Sequence, residues 1–123
     1  RGAIGVEDSS RVLSETEPMG FGSDGWIQLK PGPFLVTFNE VVNLPLHIMA
    51  LGRPRSSLLR SGVSIHTAVW DAGYNGRSQA LLVVYHPDGY QVQRDARLMQ
   101  LVFLQMETAA SRGYQGRFQS EHI

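Results

Sequence analysis

Asp71 closes an apolar run, Ser64-Ile65-His66-Thr67-Ala68-Val69-Trp70, and opens a turn, Ala72-Gly73-Tyr74-Asn75-Gly76-Arg77. A carboxylate held there can activate water, and it can equally cap its own backbone, the commoner use of Asp at a turn. His66 has no second histidine at metal-binding spacing nearby, so a packed or surface histidine is the simpler assignment. Upstream stands Gly52-Arg53-Pro54-Arg55-Ser56-Ser57-Leu58-Leu59-Arg60. Two arginines flank a proline, and two hydroxyls follow at an expected helix start, where free N–H groups and the helix dipole favour an anion. Ser56 or Ser57 acting as a plain helix cap, with the arginines in solvent, accounts for the same residues. Gln100 lies in the apolar run Arg97 to Leu104, where a buried amide needs partners. Finally, Ser111 to Ser120 sets Arg112, Tyr114, Arg117 and Phe118 among glycines. Such a segment reads as a mobile tail over residues 111–123, able to close over a ligand.

The elements that must position these groups are mostly strands. Short runs rich in Val, Leu, Ile and aromatics cover Trp26 to Lys30, Phe34 to Phe38, Leu46 to Leu51, Val63 to Trp70, Gln79 to Tyr85, Tyr90 to Arg94 and Arg97 to Met106. Asp24-Gly25, Pro31-Gly32-Pro33, Gly73 to Gly76 and His86-Pro87-Asp88-Gly89 supply the turns between them. Only Arg55 to Ser61 lacks both alternation and turn residues, which predicts one short helix there. Residues 1–25 read as loop with one short strand near Ala3 to Val6. The expectation is an all-β sandwich or barrel in a single domain over residues 1–123, with exposed edges unless it closes or oligomerises.

Composition narrows the chemistry. The 123 residues contain no cysteine, which excludes disulfides, thiolate nucleophiles and the cysteine-containing zinc sites of the usual nucleobase deaminases. Formal charge is zero overall, yet positions 1–50 carry −3 and positions 51–123 carry +3. Ten of the eleven basic residues are arginine, whose planar fork suits a small phosphate or carboxylate ligand. A polyanion such as nucleic acid calls for a net basic surface, so nucleic-acid binding is not expected. No apolar run approaches membrane-spanning length, and the acidic first twenty residues do not read as a secretion signal. A soluble, cytoplasmic protein without membrane contact is expected.

Taken in order, the segments resemble the motifs of the deoxyuridine triphosphatase and deoxycytidine triphosphate deaminase family, nearest to its archaeal-type members. Pro54-Arg55-Ser56-Ser57-Leu58 looks like the phosphate-binding motif and Asp71-Ala72-Gly73-Tyr74-Asn75-Gly76 like the water-activating one. Ala96 to Phe103 looks like the Arg-x-x-Gln-Leu strand, and Arg112 to Gln119 like the Gly-rich closing tail. Leu29-Lys30-Pro31-Gly32 and Asn43-Leu44-Pro45 also sit as in these proteins, so the likeness spans about residues 26–120. It implies a distorted jelly-roll subunit in a homotrimer whose sites are shared between chains. It further implies that Asp71 deprotonates the water attacking the α-phosphorus of a pyrimidine deoxynucleoside triphosphate. Tyr74 would pack on deoxyribose, while Arg55, Ser56, Ser57 and Gln100 would hold phosphate oxygens. The hairpin Ile65 to Trp70, with His66 and Thr67, would read the base through its backbone. Arg117, Phe118 and Gln119 would close over the nucleotide, and Mg²⁺ would ride on the triphosphate without a protein metal site.

The resemblance covers hydrolases and deaminases alike, and the strand after Asp71 separates them. The deaminases use a glutamate there, whereas Gln79 to Pro87 holds no Asp or Glu, which favours release of pyrophosphate over loss of ammonia. A deaminase, and a nucleotide-binding regulatory trimer without turnover, stay as alternatives. Two departures stand out. The family's N-terminal Gly-x-Asp-Leu-type segment is not expected in this chain, and Glu121 stands where related tails carry glutamine.

Overall fold

The computed structural model describes residues 1–123. Nine strands follow one another: β1 (Trp26–Leu29), β2 (Gly32–Thr37), β3 (Val42–Asn43), β4 (Ile48–Pro54), β5 (Val63–His66), β6 (Asn75–Gly76), β7 (Gln79–Val84), β8 (Tyr90–Gln93) and β9 (Met99–Gln105). One helix, α1 (Ser56–Arg60), lies between β4 and β5, and a 3₁₀ turn covers Asp8–Ser10. The all-β class with one short helix is therefore as expected.

Alternation explains why β7 is central. Its even-numbered residues Ala80, Leu82 and Val84 are buried, and it pairs antiparallel with β2 on one edge and β5 on the other. The β1–β8 ladder adds Leu29 and Val92, and α1 adds Leu58, to a core with Val63 and Ile65. Each fully buried side chain of this kind contributes about 1.5–3 kcal/mol relative to exposure. A smaller cluster of Leu44, Ala50, Trp70 and Tyr74 lies beside it, and Phe38 and Met99 pack against both.

The second cluster belongs to the β4–β9 ladder, which runs in register from Ile48 opposite Gln105 to Pro54 opposite Met99. Opposed residues share a face, so Met49 with Leu104, Leu51 with Val102 and Arg53 with Gln100 stand on one side. Leu51, Val102 and Leu104 are each about two-fifths exposed, at 38%, 40% and 41%. That apolar face has no partner within the chain.

Three local expectations change. The run Val63 to Trp70 is a strand only as far as His66; Trp70 then forms a bridge to Ala50, because the chain leaves β7 to reach β4. The strand expected at Ala3 to Val6 reduces to a single bridge between Ala3 and Val12. The N-cap of α1 is Arg55 in extended conformation without a side-chain cap, so neither serine caps the helix. No helix is long and apolar enough to cross a membrane.

Candidate active site

The bridge to Ala50 fixes where the Asp71 turn begins: Ala50 N–H donates to Trp70 O at 2.9 Å and Trp70 N–H to Ala50 O at 3.0 Å. The chain then reverses, Tyr74 N–H donating to Asp71 O at 3.1 Å. Gly73 sits at φ +82° with its Cα against Gly113, so a Cβ there would stand 2.5 Å from Gly113 Cα. Only glycine meets both demands. Asp71 itself is exposed and lines a cavity of about 290 Å³ with Met49, Met106, Arg112, Gly113 and Tyr114.

Behind Asp71 a chain of hydrogen bonds ties the two flanks of the turn together. Trp70 Nε1–H donates to Ser78 Oγ at 2.5 Å, Ser78 donates to the Tyr74 hydroxyl at 3.3 Å, and Tyr74 donates to Glu121 Oε1 at 2.8 Å. Tyr74 is 5% exposed and meets Tyr114 edge-on at 5.7 Å. Burial pushes its phenol up to about 12 from the ordinary 10.0; the Ser78 hydrogen bond works against this, and the bond and charge of Glu121 add to it. The face expected to receive deoxyribose is thus covered by the chain's own segment 111–123.

That segment lies along the turn. Tyr114 N–H donates to Ala72 O at 2.8 Å, Ser120 N–H to Asn75 O at 2.6 Å, and Arg77 N–H to Glu121 O at 2.8 Å. Gln119 accepts from Asn75 N–H at 2.7 Å and donates to Gly73 O at 2.9 Å and Tyr114 O at 2.8 Å. Arg117 and Phe118 point to solvent, the guanidinium 5.8 Å from the ring centre. Arg112, which hydrogen-bonds Gln115, is the tail arginine beside Asp71.

The other candidate residues collect elsewhere. Arg55 and Ser57 line a separate cleft of about 240 Å³ with Trp26, Gln91, Gln93 and Arg97. Arg55 there donates to Arg97 O at 3.4 Å, and Ser56 is exposed beside it. Gln100 is exposed opposite Arg53, so its amide is not the buried group that its apolar neighbours suggest. His66 is exposed, 3.3 Å from the Tyr85 hydroxyl; Thr67 is half-buried, its methyl against Gly52. Ala50, bridged to the residue before Asp71, and Arg55 are five residues apart along β4, about 16 Å at a strand's rise of ~3.3 Å per residue. One chain does not bring Arg55 and Gln100 to Asp71.

From sequence, Arg112 reads only as part of the closing tail and Glu121 only as a departure from related tails, and Ser78 carries no signal. Arg112 carried a signal, an arginine beside the glycine that packs on Gly73, but that packing is visible only in three dimensions. Ser78 and Glu121 are joined to Tyr74 by folding across 4 and 47 residues respectively, and no local pattern announces either bond.

A family model described as dCTP deaminase-like matches residues 3–106. A relative in Methanosarcina mazei called "Probable deoxyuridine 5'-triphosphate nucleotidohydrolase" is 47% identical, over 98% of this chain and 71% of its own length. One of the same name in Methanococcoides burtonii is also 47% identical, over 99% of this chain and 72% of its own. Among solved structures, one titled "EIAV dUTPase native" is similar with a TM-score of 0.48 and 15% identity, over 77% of this chain and 87% of that one.

Proposed function

This chain belongs to the dCTP deaminase-like family, and we propose that it hydrolyses deoxyuridine triphosphate to deoxyuridine monophosphate and pyrophosphate. The observation that carries this reading is Asp71, the only carboxylate lining a cavity that it shares with Arg112, with no acid along β7 to work on the base. Asp71 takes a proton from water as the water oxygen bonds to the α-phosphorus. The bond from that phosphorus to the bridging oxygen breaks, and pyrophosphate leaves with its electron pair. Such a step depends on aligning water with phosphorus and offsetting negative charge, and Arg112 brings a cation to the wall of the same cavity. A wall with one carboxylate fits a Mg²⁺ held mainly by the triphosphate and water; when bound, it neutralises phosphate charge.

The phosphate-holding group comes from another copy. Arg55, Ser56, Ser57 and Gln100 stand at the far end of β4 from Asp71, and Gln100 shares a face with exposed Leu51, Val102 and Leu104. A homotrimer packing that apolar face would join Asp71 of one chain to Arg55 and Gln100 of the next. Thr67 to Val69, outside the ladders, offer backbone groups to the base next to His66. Arg117 and Phe118, exposed on the 111–123 segment, are free to cover the nucleotide while Gln119 and Glu121 keep the segment on the turn, and Tyr74 backs the sugar site through the turn that it stiffens. A cytoplasmic location matches a nucleotide substrate.

The purified chain supplied with deoxyuridine triphosphate and Mg²⁺ is expected to release pyrophosphate, and Asp71→Asn to slow it by about 10²- to 10⁴-fold, the usual worth of a general base. Ammonia from deoxycytidine triphosphate, without pyrophosphate, would select the deaminase instead.

A further inference from the structure

The polar groups at the end of the 111–123 segment are spent on the protein. The Gln119 amide uses its oxygen on Asn75 N–H and its nitrogen on Gly73 O and Tyr114 O, which leaves no free donor on that side chain. Glu121 engages the turn twice, its backbone oxygen accepting from Arg77 N–H and its carboxylate from the Tyr74 hydroxyl. From Tyr74 the bonds run on through Ser78 to Trp70, the residue immediately before Asp71. Both flanks of Asp71 are thereby tied to one segment of the same chain. Ser120 and His122 hold left-handed φ values of 60° and 57° in this arrangement. Non-glycine residues keep such φ values only where surrounding contacts over-determine the backbone.

We propose that Gln119 and Glu121 are positioning residues that act in cis: they lock the turn carrying Asp71, and the Tyr74 ring behind it, and do not themselves bind nucleotide. The inference deepens the reading of Asp71 as the water-activating base and rests on it for the catalytic consequence. Arg117 and Phe118 point outward immediately before the inward-turned Gln119 and Glu121, so the segment divides its labour residue by residue. Arg77 secures the same segment from the other side, its guanidinium donating to Asn39 O at 2.7 Å and His122 O at 2.8 Å.

Amide hydrogen exchange on the ligand-free full chain tests the lock directly. Gln119→Ala removes the acceptor of Asn75 N–H and is expected to speed exchange there by about fivefold, the worth of one hydrogen bond. Glu121→Ala is expected to speed exchange at Arg77, and Glu121→Gln, which keeps an acceptor oxygen for Tyr74, to hold it near the parent rate. In turnover, both alanine variants are expected to lower kcat with KM little changed, because a displaced base aligns water badly without weakening ground-state binding. Unchanged exchange at Asn75 would show that Gln119 does not hold the turn, a raised KM at constant kcat would show direct contact with nucleotide, and either would overturn the proposal. Because exchange is read without substrate, failure to release pyrophosphate would sink the hydrolase reading while leaving this measurement intact.

Discussion

The two ends of β4 are finished differently. At the end near Ala50, the turn holding Asp71 has its backbone groups taken up by the 111–123 segment, and a buried run of side-chain bonds from Trp70 to Glu121 stiffens it from behind. At the far end, past Pro54, Arg55, Ser56, Ser57 and Gln100 are exposed, and the one side-chain bond Arg55 makes is a long one to Arg97 O. If Asp71 holds one water in register, as proposed, it needs a rigid seat, and its own chain supplies one. On the proposed reading, groups that grip a flexible polyphosphate need only be available, and these are exposed.

The largest effect that separates the ends is complementation. If Asp71 and Arg55 serve one site from two chains, Asp71→Asn and Arg55→Ala are each nearly inactive, and refolding them together restores activity. Random mixing puts an intact Asp71 beside an intact Arg55 at about a quarter of the sites of a closed cyclic oligomer. Measured pyrophosphate release near that level would support sharing; a mixture as inactive as its parents would break the comparison, because both groups would then serve one site in cis.

Stability distinguishes the ends on a smaller scale. Gly73→Ala places a Cβ against the backbone of Gly113 at a positive φ, a combination expected to cost about 1–3 kcal/mol. Arg55→Ala removes an exposed side chain with one long hydrogen bond and is expected to change stability by less than about 0.5 kcal/mol. Denaturant unfolding of the two variants side by side checks the difference, and equal losses would mean that the Arg55 end is as tightly built as the other.

Much of this division was legible in the sequence. Strand alternation around Leu82 placed β7, Gly73 marked the tight turn, and the absence of helical periodicity except near Leu58 left room for one short helix. Asp71 alone reads as a turn cap, and only its order among the Arg55, Tyr74, Gln100 and Arg117 segments marks it as a water-activating acid. What stayed hidden depends on long-range approach. Gln100 read as buried because its neighbours are apolar, but the face it shares with Leu51 and Val102 has no cover within the chain. Arg117 stands out as the charge that the closing tail brings and Arg112 does not, since only packing of Gly113 on Gly73 brings Arg112 to Asp71.

The smallest effect concerns the stiffening bonds themselves and appears only in alkali. Burial holds the Tyr74 phenol protonated to about pH 12, whereas in the unfolded chain it ionises near its ordinary 10.0. Above pH 10 the unfolded state therefore loses this proton first, so Tyr74's contribution is fully present below pH 10 and drains away as pH rises toward 12. Tyr74→Phe removes the group that titrates and also its bonds to Glu121 and Ser78, which costs about 1 kcal/mol at neutral pH. The parent should thus be the more stable at pH 7, and the gap should narrow as unfolding is measured from pH 9 to 11. A gap that stays constant would mean that Tyr74 ionises alike in both states, and that the Asp71 turn is not backed by a phenol kept neutral by burial.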